Sequence, residues 1–195
     1  VPPVEQDRFR FADEFWQARQ LDNYYNVRDD RDGPLWSLGV TGILPEYRPA
    51  LFGDRVVSTL PTPGHTVGSV TLLTALNGKR VAFTGDLIMA PGKVWSLAST
   101  QWSYNGIQGV GATWLSAKEL AEQRPELLLP SHGDPITEPG PALSLLADRL
   151  MALVDDRGSE YLDLQDQWER PFESLTPHLL ANRTSVSRSY VLLSD

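Results

Sequence analysis

The chain has 195 residues, of which 41% are hydrophobic, and a formal net charge of -8 at pH 7. This length and apolar content predict one soluble globular domain with a sizeable core. The acidic charge argues against nucleic-acid binding, which needs a basic face. The sequence contains no cysteine, so any metal must be held by His, Asp or Glu, and disulfides are excluded.

The chain contains no predicted membrane span, because no apolar run approaches the roughly 20 residues that a span needs. Nothing at its start is typical of a signal peptide. We therefore expect no membrane partner, and the cellular compartment stays undetermined, with the cytoplasm as the default. The opening Val1-Pro2-Pro3 lacks an initiator Met, which leads us to expect that the natural protein begins further upstream.

The first predicted element is an amphipathic helix near the start of the chain. Its apolar residues recur at helical spacing, and they are Phe11, Phe15, Ala18 and Tyr25. The next segment, 29–53, is rich in Asp, Gly and Pro and has no clear period. We interpret it as an irregular connection with short elements and assign it no function.

Three strands are predicted next. Val56 to Leu60 and Val70 to Leu76 have the apolar and β-branched composition of strands. Asn77-Gly78 is a favoured two-residue turn, and it leads into a third strand at Arg80 to Thr84. The second and third strands should therefore form a hairpin.

Two helices and a short strand complete the main part of the sequence. The first helix is predicted to end before Pro125, and its apolar residues are Val110, Trp114, Ala117 and Ala121. Leu127 to Leu129 is predicted as a buried strand. The second helix begins near Pro141, a favoured first-turn residue, and its stripe is Leu143, Leu146, Leu150 and Leu153. This order of elements predicts an α/β layered domain.

The composition changes past Gly158 to a polar tail, which ends in the strand-like run Ser189 to Leu193. We therefore divide the chain into residues 1–158, which hold the α/β body, and residues 159–195, an extension of it.

Three predicted strands are each bordered by a turn that carries a side chain of the metal-ligand type. The segments are Thr62-Pro63-Gly64-His65-Thr66-Val67-Gly68-Ser69, Phe83-Thr84-Gly85-Asp86 and Leu129-Pro130-Ser131-His132-Gly133. A catalytic divalent metal needs imidazoles and carboxylates projected from stiff elements, and strand ends supply that stiffness. Taken singly, each residue also has an ordinary interpretation as a turn, loop or N-cap residue. Their joint order and spacing favour a metal site.

These segments resemble, in order and spacing, the metallo-β-lactamase fold superfamily of metal-dependent hydrolases, and most closely its glyoxalase II-like members. The resemblance covers roughly Val56 to Asp156. It implies an αββα four-layer sandwich of two similar halves, of which residues 1–158 look like the second, C-terminal half. The run Ser189 to Leu193 is similar to the opening strand of the first half. The tail thus either leads into another such domain or reflects a permuted chain.

The resemblance also implies roles for the three side chains. His65 would be a ligand of a first metal, His132 a ligand of a second, and Asp86 the catalytic carboxylate that bridges both. The expected cofactor is zinc, with two ions per complete site, and iron or manganese as alternatives. Metal-bound hydroxide would then cleave an ester, thioester, amide or related bond of a small-molecule substrate. Thr66 and Ser69 either orient His65 or cap the turn.

The chain departs from the family pattern in one respect, because it lacks the upstream His-x-His-x-Asp-His segment. Its one other histidine is His178, which we expect to be a surface or packing residue. We therefore expect the missing half of the site to precede Val1 in the same natural chain. Two alternatives stay open: a non-catalytic module that has lost its upstream ligands, and an iron-dependent oxidoreductase of the same fold.

The loop that follows Asp86 is dense in aromatic residues and carries the candidate substrate-binding residues Lys93, Trp95, Trp102 and Tyr104. The aromatic side chains would wall the substrate cleft, and Lys93 would pair with a substrate carboxylate. Core or interface packing of the tryptophans is an equal alternative. The sequence does not determine the substrate or the oligomeric state.

Overall fold

The structure is a computed structural model that describes residues 1–14, 36–95, 109–156, 164–184 and 189–194. Most of the predicted N-terminal helix, including Phe15, Ala18 and Tyr25, lies outside these ranges. The candidate substrate residues Trp102 and Tyr104 also lie outside them, so their roles stay predictions.

Five strands form the main sheet in the order β1-β2-β3-β4-β5. They are β1 Pro49–Phe52, β2 Arg55–Pro61, β3 Val70–Leu76, β4 Lys79–Gly85 and β5 Leu127–Pro130. The first four pair antiparallel in succession, and β5 joins β4 in parallel. The predicted strands are confirmed, each to within one residue at either end.

The predicted hairpin between β3 and β4 is also confirmed. Asn77 and Gly78 have φ angles of 52° and 78°, as a type I′ turn requires at both central positions. Leu72 lies opposite Phe83 in the resulting ladder. Strand β1 is one of the short elements expected within the irregular segment 29–53.

Two long helices pack on each other and on one face of the main sheet. They are α2 Val110–Glu122 and α3 Pro139–Asp156, so α3 begins two residues before the predicted Pro141. The shared core draws on the sheet and on both predicted helical stripes, and it includes Leu60, Ala82, Leu128, Trp114, Ala117, Leu120, Leu143, Leu146 and Leu150. This layering confirms the predicted α/β class.

The N-terminal region differs from the prediction at Phe11. Helix α1 covers Gln6–Arg10 and ends at Phe11, whose φ of -124° leaves the helical region, and residues 12–14 are helical again. The break leaves Phe11 exposed and Ala12 buried. Assigning Phe11 to the buried face of one continuous helix was therefore wrong.

The tail contains more regular structure than its polar composition indicates. It holds helix α4 Leu164–Glu169 and a separate sheet in the order β6-β7-β8, with bounds Phe172–Thr176, Leu179–Asn182 and Tyr190–Leu192. The predicted strand near the end of the chain is confirmed as β8, which pairs antiparallel with β7. The Trp168 ring of α4 meets the Trp114 ring edge-on, with centroids 6.3 Å apart, which joins the tail to α2.

Among the helices in the described ranges, none has the length and apolar character to cross a membrane.

Candidate metal centre

The three predicted ligands meet at one edge of the main sheet because of its topology. Strands β2, β4 and β5 run in the same direction, since β2 and β4 are both antiparallel to β3 and β5 is parallel to β4. Their carboxyl ends therefore lie at the same edge. His65 follows β2, Asp86 follows β4 and His132 follows β5, so residues distant in sequence are delivered to one place.

The side chains of these residues are in direct contact through Asp86. Its Oδ1 atom lies 2.7 Å from His132 Nδ1, and its Oδ2 atom lies 3.5 Å from His65 Nε2. The carboxylate thus presents a different oxygen to each imidazole. The side chains are 15% exposed for Asp86, 27% for His65 and 44% for His132, so the cluster is open to solvent mainly on the His132 side.

The turn that carries His65 is anchored to α2 and to Gly109, the residue that precedes it. Ser116 donates a hydrogen bond of 2.6 Å to the Pro63 carbonyl, and the Gly109 N–H donates one of 3.0 Å to the Gly64 carbonyl. Gly64 has a φ of 147°, and a Cβ there would lie 2.3 Å from the Thr113 hydroxyl oxygen. Only glycine allows this approach, which explains the residue that precedes the ligand.

The turns that carry Asp86 and His132 are tied to each other. The Ser131 N–H donates to the Gly85 carbonyl at 2.9 Å. Gly133 has a φ of 104°, and a Cβ there would lie 2.1 Å from the Met89 carbonyl oxygen. The chain after His132 then pairs Ile136 with Leu128. These contacts fix the backbone on both sides of His132.

The hydrogen bond between His132 and Asp86 defines a proton position. A carboxylate can only accept, so Nδ1 of His132 carries the proton and donates it to Asp86. The other ring nitrogen, Nε2, then keeps its lone pair. This arrangement, in which a carboxylate fixes the tautomer of an imidazole, is common for histidines that ligate metals.

Thr66 and Ser69 do not orient His65, contrary to the first of the two predicted roles. The Ser69 hydroxyl accepts a hydrogen bond of 3.0 Å from the Thr66 N–H and contacts the Thr66 hydroxyl at 2.9 Å. Both hydroxyls therefore close the turn, which was the alternative. His65 Nδ1 is buried and has no hydrogen-bond partner within the described ranges.

The donor set suits a divalent metal that prefers nitrogen and oxygen ligands, such as zinc, iron or manganese. The set is partial. Across the described part of the chain, no group of three or more His, Cys, Asp or Glu side chains is arranged so that it could hold one metal ion. The two imidazoles instead flank opposite oxygens of one carboxylate. The metal-ligand roles implied for His65, Asp86 and His132 therefore stay predictions.

The structure places two of the four candidate substrate residues. The Trp95 ring stacks on the His132 ring, with centroids 4.1 Å apart and planes 12° from parallel. Lys93 is exposed, and its backbone closes a turn with Met89 and Ala90. The sequence placed Trp95 near the site but gave no sign of its contact with His132, and it gave no sign of the supporting roles of Gly109 and Ser116.

Comparisons with known proteins rest on structure alone, because no family model and no curated protein matches this sequence. The structure is similar to a metallo-beta-lactamase family protein from Thermus thermophilus, with a TM-score of 0.53 and 17% identity, over 77% of this chain and 50% of that one. A metallo-beta-lactamase from Staphylococcus aureus gives a TM-score of 0.47 and 18% identity, over 78% and 45%. An archaeal metallo-beta-lactamase superfamily protein from Sulfolobus tokodaii gives 0.45 and 17%, over 84% and 65%.

The likeness to the Thermus thermophilus protein shows that this chain has the metallo-β-lactamase fold, as the sequence resemblance implied. The chain spans about half the length of that protein, which is consistent with a partial domain. The division into residues 1–158 and 159–195 stays a prediction.

Proposed function

We propose that this chain contributes part of the active site of a metal-dependent hydrolase, which cleaves an ester, thioester, amide or related bond in a small-molecule substrate. The observation that carries the proposal is the Asp86 carboxylate, which presents one oxygen to His65 and the other to His132. Three separate turns converge to produce that contact. The similar protein from Thermus thermophilus is a metallo-beta-lactamase family protein, and this supports the same general chemistry here.

Each side chain has a definite task in the proposed site. His65 and His132 would each help to hold a different metal, and Asp86, which contacts both imidazoles, would contribute its carboxylate. Asp86 also accepts the Nδ1 proton of His132, which keeps that imidazole in the tautomer with a free Nε2 lone pair. A bound divalent metal supplies a nucleophile from water at neutral pH and polarises the bond to be cleaved. Zinc is the proposed metal, and the remaining ligands would come from elsewhere in the natural protein.

The charge of the chain argues against a polyanionic substrate. With a net charge of -8, the chain has no general attraction for polyanions such as nucleic acids. A small anionic substrate stays compatible, because the metal itself supplies local positive charge.

The second candidate function is a non-catalytic module with the same fold. It is favoured by the partial donor set, since no group of three or more ligand-type side chains in the described ranges could enclose a metal. Both candidates require the fold, but only the hydrolase requires metal.

Metal analysis of the full natural protein distinguishes these two candidates. After zinc reconstitution and dialysis, a hydrolase with a binuclear site should retain about two zinc ions per chain. Removing them with a chelator should abolish hydrolysis of a panel of chromogenic esters and thioesters, and adding zinc back should restore it. Protein that retains no zinc, and no iron or manganese when these are supplied instead, would establish the non-catalytic module.

A further inference from the structure

We propose that Trp95 is a positioning residue that holds the imidazole plane of His132 by stacking on it. The inference assigns Trp95 a structural task within the proposed metal site, and so it rests on the proposed function. It is carried by the near-parallel contact of the two rings, with a centroid separation of 4.1 Å and an interplanar angle of 12°. This geometry is that of a stacked aromatic pair rather than of an incidental contact.

His132 needs such support because, within the described ranges, its other side-chain contact fixes only one atom. The hydrogen bond to Asp86 holds Nδ1, but the ring can still swing about that contact. The imidazole is 44% exposed, so the surrounding protein does not enclose it. Contact with a flat indole removes the swinging motion and thereby sets the direction in which Nε2 points. A ligand that is held in its binding direction loses less entropy when the metal binds.

Trp95 can perform this task because the turn that precedes it is clamped to α3. Gly92 accepts a hydrogen bond of 2.9 Å from Arg149 and donates one of 3.3 Å to the Ala142 carbonyl. Gly92 has a φ of 69°, and a Cβ there would lie 2.6 Å from Leu145. The turn itself is closed by the Met89 N–H, which donates to the Lys93 carbonyl at 2.8 Å. Helix α3 thus supports the indole, and the indole supports the ligand.

The contact can be measured without any metal, because the chain has only three histidines. We would record the imidazole signals of 15N-histidine-labelled protein by NMR, at the same pH for every variant. A ring stacked on indole is shielded, so the His132 carbon-bound protons should lie upfield of those of His178. His132→Gln assigns the signals by removing one set.

The deciding variants are Trp95→Leu and Trp95→Phe. Trp95→Leu should move the His132 signals downfield and leave those of His178 unchanged, whereas Trp95→Phe should keep most of the upfield shift. Trp36→Leu is the matched control, because Trp36 is similarly exposed, 64% against 52% for Trp95. This substitution should leave the NMR signals of both His132 and His178 unchanged. Unchanged His132 signals in Trp95→Leu would overturn the proposal. Circular dichroism confirms that each variant is folded.

Zinc titration of the full natural protein tests the consequence for the ligand and separates the two proposals. Trp95→Leu should weaken zinc binding about tenfold, the lower end of what is typical when a group that orients a ligand is removed. Equal zinc affinity in the Trp95→Leu and Trp36→Leu variants would overturn the positioning role and leave the hydrolase standing. Absence of zinc binding in the unsubstituted protein would instead count against the hydrolase, and the NMR shifts alone would then decide whether Trp95 holds His132.

Discussion

The metal-ligand edge of the main sheet and the small sheet β6-β7-β8 differ in how their residues are supported. At the ligand edge, the backbone of the turns is held in place by the rest of the chain: Ser116 donates to the Pro63 carbonyl, and the Met89 carbonyl leaves no room for a Cβ at Gly133. In the small sheet, every residue of β6 and β8 is exposed. Its large apolar side chains are nevertheless numerous, and the exposed ones include Phe172, Leu175, Tyr190, Val191 and Leu192.

The difference shows which part of the chain is structurally self-sufficient. A sheet is stable when at least one face packs against another layer. The main sheet meets this condition through α2 and α3, with a continuous core behind the ligand turns. The small sheet has apolar residues but little burial. Its side chains should therefore contribute little to the stability of this chain, whereas the ligand edge should be sensitive to single substitutions.

The largest expected effect is that of Gly133→Ala at the ligand edge. The new Cβ would meet the Met89 carbonyl at 2.1 Å, in a backbone conformation with φ of 104°. Strain and overpacking together should lower the free energy of unfolding by about 3 kcal/mol or more. Urea denaturation measures the loss.

Gly53→Ala is the control for that substitution. Gly53 also has a positive φ, 62°, but a Cβ there meets nothing within 4 Å. Gly53→Ala should therefore lower the free energy of unfolding only by the backbone strain, about 1 kcal/mol. Equal losses for the two variants would show that the contact with Met89 does not constrain the His132 turn.

The second prediction compares the two sheets directly through Leu128→Ala and Leu192→Ala. Leu128 in β5 is 0% exposed and Leu192 in β8 is 80% exposed. Leu128→Ala leaves a cavity and should lower the free energy of unfolding by about 2–5 kcal/mol. The exposed substitution should change stability by no more than about 0.5 kcal/mol. A large loss of stability for Leu192→Ala would mean that another layer covers the small sheet in solution.

The third prediction concerns metal affinity rather than stability. His132→Gln removes a proposed ligand, whereas His178→Gln changes an imidazole located between β6 and β7. In the full natural protein, His132→Gln should weaken zinc binding about a hundredfold, equivalent to about 2.7 kcal/mol. His178→Gln should leave the zinc affinity unchanged. Competition with a chromogenic chelator measures both. Similar affinities for the two variants would remove His132 from the site.

The sequence was sufficient to predict four of the five strands of the main sheet and one hairpin, because the signals for these elements are local. The Asn77-Gly78 pair specifies a hairpin, and the helical stripes of α2 and α3 were correctly placed on the core. The three ligand segments could be found for the same reason, since each turn contains its own glycine. Their convergence was implied by the resemblance to the metallo-β-lactamase fold, and the strand order of the structure accounts for it.

The features that the sequence did not reveal depend on contacts between distant residues. The stacking of Trp95 on His132 joins a loop to the end of β5, and no periodicity encodes it. The small sheet was missed, except for β8, because β6 and β7 are short and their mixed composition resembles that of a polar connection. The break at Phe11 depends on a single backbone angle, which hydrophobic spacing does not report.

The smallest expected difference in stability is between Ser116→Ala and Ser174→Ala. Each substitution removes a hydroxyl that donates to a backbone carbonyl. Ser116 is buried and holds Pro63 in the His65 turn at 2.6 Å, whereas Ser174 is exposed and contacts the Thr176 carbonyl at 3.0 Å. Loss of this hydrogen bond leaves the Pro63 carbonyl without its donor and should lower the free energy of unfolding by about 1 kcal/mol. At Ser174, water replaces the hydroxyl and no measurable loss is expected. Urea midpoints measured side by side would resolve the difference. If the two losses were equal, the anchoring of the His65 turn to α2 would contribute no more to stability than a surface contact does.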